Sequence, residues 1–280
     1  MGRKPRIQYY GAIYHVIQRG RDGERVLLED EDKSHLLELI NEAKESKGFR
    51  VFAFLIMDNC YHLLIQALNV PISNIMHYIN FKYARYYNSK SSKKGKVFRE
   101  RYKSTLVQDE RFLLPIVKYI HKYPVEAGLC SSIEEYKWSS HVFYRVNMEN
   151  VVNIEDILNT FSANRIEAIK RYTEYMETEE EDWKAIKYRL ENSSIIGTDE
   201  FIMEIQGKKH RQSLDELLKR CCPTEEEFKL IKNGSRERYL TDYKVEYISM
   251  AKREGYTYKE IGENIGITGA AARSLIVENK

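Results

Sequence analysis

The sequence predicts an α+β fold for its first half and a helical second half. Three observations carry this. Two apolar runs rich in aromatic and β-branched residues, Val51–Met57 and Cys60–Ile65, are split by the turn signal Asp58-Asn59 and read as paired strands. Apolar residues recur at helical spacing before them, at 36–43, and after them, at 75–86. Strand and helix signals therefore intermix, and the short connections favour an antiparallel sheet.

In chain order, Arg3 to Arg6 is a basic arm, and Ala12–Gln18 reads as a strand between Gly11 and the turn-rich 19–23. Asp30-Glu31-Asp32 opens a helix, since acids in a first turn favour the helix dipole. Leu36, Leu37, Leu39, Ile40 and Ala43 give it an apolar face, and Gly48 ends it. After the two strands, Ser73 is placed to cap a helix from Asn74 to Asn88. A flexible basic loop follows at 89–96, then a strand at 102–107 and a helix at 110–121.

At 280 residues the chain exceeds one typical domain. The expected organisation is a first domain over 1–147, a charged helical region over 148–240, and a closing segment over 241–280. No apolar run reaches transmembrane length, and no apolar stretch follows the basic Met1–Arg6 as a signal peptide requires. Four cysteines, Cys60, Cys130, Cys221 and Cys222, suggest neither a disulfide framework nor a zinc finger, which favours a reducing cytoplasm.

The net charge is only +3, but it is uneven. Residues 1–147 hold 24 Lys/Arg against 16 Asp/Glu, a balance of +8, and the remainder is at −5. A basic half points to a polyanionic partner. The stretch 82–103 is the densest, with nine basic residues and one acid, Glu100. Tyr83, Tyr86, Tyr87, Phe98 and Tyr102 are interleaved. Cations pair with phosphates, and aromatic faces stack unpaired bases, so single-stranded or hairpin DNA suits the pattern better than plain duplex. Tyr83 is expected to pack rather than stack. The expected DNA contacts are Arg3, Lys4, Arg6, Arg19, Lys93, Lys94, Lys96, Arg99, Arg101 and Lys103.

Residues two apart on a strand share a face, so Cys60 and His62 project together. A thiolate and an imidazole both bind divalent ions, which makes the pair a candidate metal half-site; buried packing is the plain alternative.

Met57-Asp58-Asn59-Cys60-Tyr61-His62-Leu63-Leu64 resembles the signature of the HUH-type tyrosine transposases, in the branch of REP-associated tyrosine transposases and IS200-like relatives. Ile13–Gly20 resembles that family's first strand and turn, Gly95–Tyr102 its basic segment, Tyr119–Leu129 its nucleophile helix, and Tyr136–Ser140 its closing motif. The likeness spans residues 3 to 145 in the family's order. It implies a ferredoxin-like or RRM-like sheet with helices on one side. It implies Tyr119 as the nucleophile, attacking single-stranded DNA to give a 5′-phosphotyrosyl link and a free 3′-hydroxyl. It also implies a divalent cofactor, Mg²⁺ or Mn²⁺, held by His62 with Cys60 and Tyr123.

Two positions depart from the family pattern. Cys60 stands where the family has a His, and Tyr123, one turn after Tyr119, where it has an amide. Thiolates bind Mg²⁺ poorly, so retained activity is expected to prefer Mn²⁺. Mn²⁺ or Zn²⁺ on Cys60 and His62, helped by His15 or His121, is one arrangement; a decayed site is the other.

The second half is expected to be helical from 153 to 191, with a solvated acidic run at 177–182, and another helix starts at Ser213. Near the end, helices at 243–253, 258–265 and 269–277 surround the turn Gly266-Ile267-Thr268. With Ile261, Ile265, Ile267 and Leu275 as core they resemble a helix-turn-helix, whose last helix offers Thr268, Arg273 and Ser274 to DNA. The sequence thus points to a transposase-like protein that cleaves and rejoins hairpin DNA formed by an imperfect palindrome. The alternatives are a non-catalytic DNA-binding regulator derived from such an enzyme and an RNA-binding module. No membrane partner is expected, and a monomer is the default state.

Overall fold

The structure is a computed structural model that describes residues 7–92, 94–178, 182–205, 213–254 and 256–278. The chain divides into two compact units, Met1–Ile202 and Met203–Lys280. The expected boundary at residue 147 therefore falls inside the first unit. No helix among the described residues is long and apolar enough to cross a membrane.

The first unit is built on β1 (Ile13–Arg19), α1 (Asp30–Lys47), β2 (Phe49–Ile56), β3 (Cys60–Ala67), α2 (Ile72–Lys90) and β4 (Lys103–Val107). The sheet order is β2-β3-β1-β4, with every neighbouring pair antiparallel. This β-α-β-β-α-β arrangement is the ferredoxin-like one. A fifth strand, β5 (Ile195–Ile196), joins β4 in parallel, so the sheet is mixed rather than purely antiparallel. Two consecutive apolar residues carry no strand signal of their own, and a partner edge far away in sequence decides their state.

Local signals explain most ends. Glu29 and Asp32 form a reciprocal capping box at the start of α1, and Gly48 closes that helix in the left-handed region at φ 66°. Ser73 does not cap α2. The helix starts two residues earlier than expected, at Ile72 after Pro71, and has no side-chain cap. The helix expected at 110–121 is a 3₁₀ turn at Glu110–Phe112 followed by α3 (Leu113–Glu126). Pro124 lies within the last turn of α3, where the loss of one N–H interrupts little of the ladder.

The pleat gives the sheet two faces, and helices cover both. On one face, Tyr61 Oη donates to Asn80 Oδ1 of α2 at 2.6 Å, and α1 packs on α2 through Lys90–Asp32 at 2.7 Å. On the other, α3 lies over His15 and His62, its Tyr119 ring 5.8 Å from His15. The expectation of helices on one side is corrected accordingly. Tyr83 is fully buried, with its hydroxyl on the Val26 carbonyl at 2.5 Å, so it packs as expected.

The edge of β2 is closed by 138–140. Ile56 N donates to Trp138 O and Ser140 N to Phe54 O, both at 2.9 Å, which leaves fewer ladder groups open at that edge. Beyond it come α4 (His141–Arg145), α5 (Glu155–Leu158), α6 (Arg165–Glu177) and α7 (Asp182–Asn192), then β5 and α8 (Asp199–Ile205). His121, Ser140, Tyr172 and His141 form a buried chain between α3, α4 and α6. His121 Nε2 meets Ser140 Oγ at 2.7 Å, and the Tyr172 hydroxyl lies 3.0 Å from both His121 Nδ1 and His141 Nδ1.

The second unit holds α9 (Leu214–Cys221), α10 (Glu225–Lys232), α11 (Thr241–Arg253), α12 (Tyr258–Asn264) and α13 (Gly269–Glu278). Ser213 and Thr257 each make a capping box, at α9 and α12. Leu218, Tyr247, Ile248, Ile261 and Ile265 form its core, with Ile267 and Leu275 partly buried against it.

Gly262 sits where α12 meets the following turn. A Cβ there would lie 2.7 Å from the Ile267 carbonyl oxygen and 2.9 Å from the Thr268 carbonyl carbon. Gly262→Ala is therefore expected to destabilise the second unit by about 1–3 kcal/mol through backbone displacement. Calorimetry of the full chain checks this: the second unit's transition should fall while the first unit's stays in place.

Candidate active site

Strand register assembles the site. On β1, Arg19 pairs with Cys60 and Ile17 with His62, while on the other side Ile17 pairs with Lys103 and His15 with Thr105. Directly paired residues share a face, so Arg19, Ile17, His15, Cys60, His62 and Lys103 all point toward α3. From α3, Tyr119 and Tyr123 come down onto this face. The His62 ring lies 5.0 Å from Tyr123 and 6.2 Å from Tyr119, and the two tyrosine rings are 5.7 Å apart.

Above these groups is a cavity of about 490 Å³ lined by Ile17, Arg19, Arg99, Arg101, Lys103, Tyr119 and Tyr123, with Gln18, Glu100 and Glu191. The basic segment is clipped to the end of β1. Arg99 N donates to Arg19 O at 3.1 Å and Arg21 N to Val97 O at 2.9 Å. These bonds fix the backbone that carries Arg99 and Arg101 beside the cavity.

Burial governs the chemistry of the floor. The Cys60 thiol is pushed up to about 11 by burial, so it stays protonated. Burial, then the nearby Arg19 charge, holds His62 down at about 3, a neutral imidazole. His15 is lowered for the same reason, with His62 and Lys103 adding to it. Tyr119 is 1% exposed, and its phenol is raised by burial, then by Tyr123 and Glu191, with Arg19 opposing. Tyr123 is raised by burial and by Cys60.

His15 Nε2 and His62 Nδ1 are 3.3 Å apart, and His62 Nε2 is buried with no hydrogen-bond partner. That orphaned nitrogen is the one feature of the floor that invites a ligand. The donor set around it nevertheless does not suit Mg²⁺. It offers one imidazole nitrogen, a protonated thiol and a phenol, where Mg²⁺ takes hard oxygens in octahedral geometry. Among the described residues, no group of three or more His, Cys, Asp or Glu side chains is arranged to hold a metal ion.

Of the two proposed helpers, His15 is at the site. His121 is not: it lies in the buried chain with Ser140 and Tyr172. Of the expected DNA contacts, Arg19, Arg99, Arg101 and Lys103 line the cavity, and Lys96 lines a neighbouring groove with Arg99 and Arg101. Lys94 is exposed. The Lys103 ammonium is engaged, donating to the carbonyls of Leu190 at 2.8 Å and Glu191 at 2.7 Å. Arg3, Lys4, Arg6 and Lys93 lie outside the described residues. Arg273 is exposed on α13 of the second unit. Glu191 has no local sequence signal and comes to the cavity only through the packing of α7.

Residues 8–123 match the family described as Transposase IS200 like. No curated protein matches the chain. Among solved structures, a REP-associated tyrosine transposase bound to a REP hairpin is 14% identical. That match covers 54% of this chain and 90% of the other, with a TM-score of 0.45. A candidate transposase from Deinococcus radiodurans is 20% identical over 39% of this chain and 89% of its own, with a TM-score of 0.31. Both likenesses are distant, and the chemistry rests on this chain's own residues.

The buried histidines carry a pH dependence. His121 is held neutral by burial and by His141, and His141 is lowered to about 4, mainly by burial. An unfolded imidazole titrates near ~6.5. As pH falls below that value the unfolded chain takes up protons that the folded chain refuses, so this stability is complete above ~7 and is lost progressively toward ~4. The first unit's urea midpoint should be lower at pH 5 than at pH 7.5. His141→Gln should flatten the difference.

Proposed function

We propose that the first unit, whose residues 8–123 match the IS200-like transposases, binds single-stranded or hairpin DNA and cleaves and rejoins it through Tyr119. The observation that carries this reading is the cavity itself, with one buried phenol among Arg19, Arg99 and Arg101. A phosphodiester drawn in by these cations lies next to a phenol that can serve as its nucleophile. In that step Tyr119 Oη forms a bond to phosphorus as the P–O3′ bond breaks. The phenol gives up its proton, and the leaving 3′ oxygen takes one. The product is a 5′-phosphotyrosyl link that a second 3′-hydroxyl can reverse.

The guanidiniums offset charge on the non-bridging oxygens, as cation clamps do in phosphoryl transfer generally. No step is assigned to a metal, because the Cys60, His62 and Tyr123 donors do not suit a hard divalent ion. That same mismatch favours the second reading, a DNA-binding regulator that has lost strand transfer. In either reading the second unit contacts duplex DNA through α13, with Arg273 exposed on the helix after the tight 265–268 turn.

Covalent capture separates the readings. The protein is incubated with labelled hairpin DNA in Mg²⁺, Mn²⁺ or chelator and run on a denaturing gel beside Tyr119→Phe. An adduct lost in Tyr119→Phe is the expected result. Hairpin binding without an adduct, together with an adduct from Cys60→His/Tyr123→Asn, would establish the regulator instead.

Charge removal gives an independent check. Arg99→Ala/Arg101→Ala is expected to weaken hairpin binding about tenfold or more at low salt. It should also reduce the slope of log K against log salt by about 1.5.

A further inference from the structure

Helix α7 and strand β5 lie beyond residues 8–123, the span that matches the transposase family, yet Glu191, at the end of α7, lines one wall of the Tyr119 cavity. The wall is fixed at several points. Strand β5 pairs with β4, Leu106 to Ile195 and Val107 to Ile196. Thr105 Oγ1 donates to Ser193 O at 3.3 Å, and Leu106 N to Ser194 O at 2.9 Å. Lys103 clamps the last carbonyls of α7, a favourable place for a cation at a helix C-terminus. Lys187 of α7 pairs with Glu126 of α3 at 2.6 Å, and Leu190 is 1% exposed.

These anchors set Glu191 at the cavity with its side chain uncommitted. Its backbone carbonyl serves Lys103, while its carboxylate makes no hydrogen bond or ion pair with any described residue. Its charge is felt at both phenols, raising Tyr119 and Tyr123. A carboxylate beside a phosphate is repulsive, and Glu191, exposed and with a charge that also reaches the Lys103 and Lys187 ammoniums, stands where a base rather than the backbone of a bound strand can meet it. The remaining surface of a single strand is its bases, whose Watson–Crick edges are open when unpaired. Carboxylates accept hydrogen bonds from exocyclic amino groups, which adenine, cytosine and guanine carry. Thymine has a single N–H between two carbonyl oxygens, and those oxygens repel a carboxylate.

We infer that Glu191 is a specificity residue, reading one unpaired base in the Tyr119 cavity by accepting from an exocyclic amino group and so disfavouring thymine. This rests on the proposal that the cavity binds single-stranded DNA. It adds that the segment after the family-matched domain determines which sequence the cavity accepts.

The test uses the full chain and a pool of DNA hairpins with a fixed stem and eight randomised nucleotides on each side. Bound molecules are sequenced for wild type, Glu191→Gln and Glu191→Ala. Wild type is expected to deplete thymine about tenfold at one flanking position. Glu191→Gln, which can donate to thymine oxygens, is expected to remove that depletion, and so is Glu191→Ala. Melting midpoints equal to wild type show that both variants keep the fold. Thymine depletion that is absent from wild type, or unchanged in both variants, overturns the inference. Uniformly tighter binding of the variants with the same base preferences also overturns it, and makes Glu191 only a charge barrier. If wild type binds no hairpin of the pool more tightly than a blunt duplex of the same stem, the DNA-binding reading itself fails, and the inference with it.

Discussion

The two-residue alternation of β1 and β3, locked in one antiparallel register, is the constraint on which the site depends. Arg19 against Cys60, Ile17 against His62 and His15 against Leu64 puts a cation, two histidines and a thiol on one face. A slip of β3 by one residue would turn Cys60 and His62 toward α2 and bring Tyr61 under α3. The register is held from both sides. On the α2 face, Tyr61, Asn80 and Gln18 form a hydrogen-bonded chain, with Asn80 Nδ2 donating to Gln18 Oε1 at 3.0 Å. On the α3 face, the rings of His15, His62, Tyr119 and Tyr123 pack together. Either set would be left with buried polar groups unsatisfied after a slip, and such groups are costly.

The same burial that fixes the register sets the electrostatics. Desolvation keeps the histidines neutral and the thiol and phenols protonated, so the floor of the cavity carries no net charge at neutral pH. Charge sits on the walls, where Arg19, Arg99 and Arg101 are exposed. A neutral floor under walls with more cations than carboxylates attracts a polyanion. A bound phosphate would shift the phenols further from ionisation, whereas the guanidiniums and water exclusion favour charge transfer to phosphorus. The balance between these effects separates a strand-transfer enzyme from a binding protein on this scaffold.

The segment formed by α7 and β5, outside residues 8–123, contributes one residue to the site. It extends the sheet at β4, occupies Lys103, and brings Glu191 to a cavity otherwise assembled from residues 17–123. Lys103 consequently acts as an anchor of that segment rather than as a free phosphate contact.

Much of this was fixed by local patterns. Period-two alternation put Cys60 and His62 on one face. Helical spacing marked α1 and α2, and Ser213 and Thr257 announced the capped helices of the second unit. The motifs from Ile13 to Tyr123 fall in the stretch, residues 8–123, that matches the IS200-like transposases, and such signals lie within a few residues of one another. Four features had no local signal. The sequence does not show which strand edge Ile195–Ile196 completes, or that Glu191 reaches the Tyr119 cavity. It does not show that His121 turns away to Ser140 and Tyr172, or that helices cover both faces of the sheet. Each depends on partners dozens of residues apart, brought together by burial and backbone pairing, and pairings at that separation are decided only when the whole chain packs.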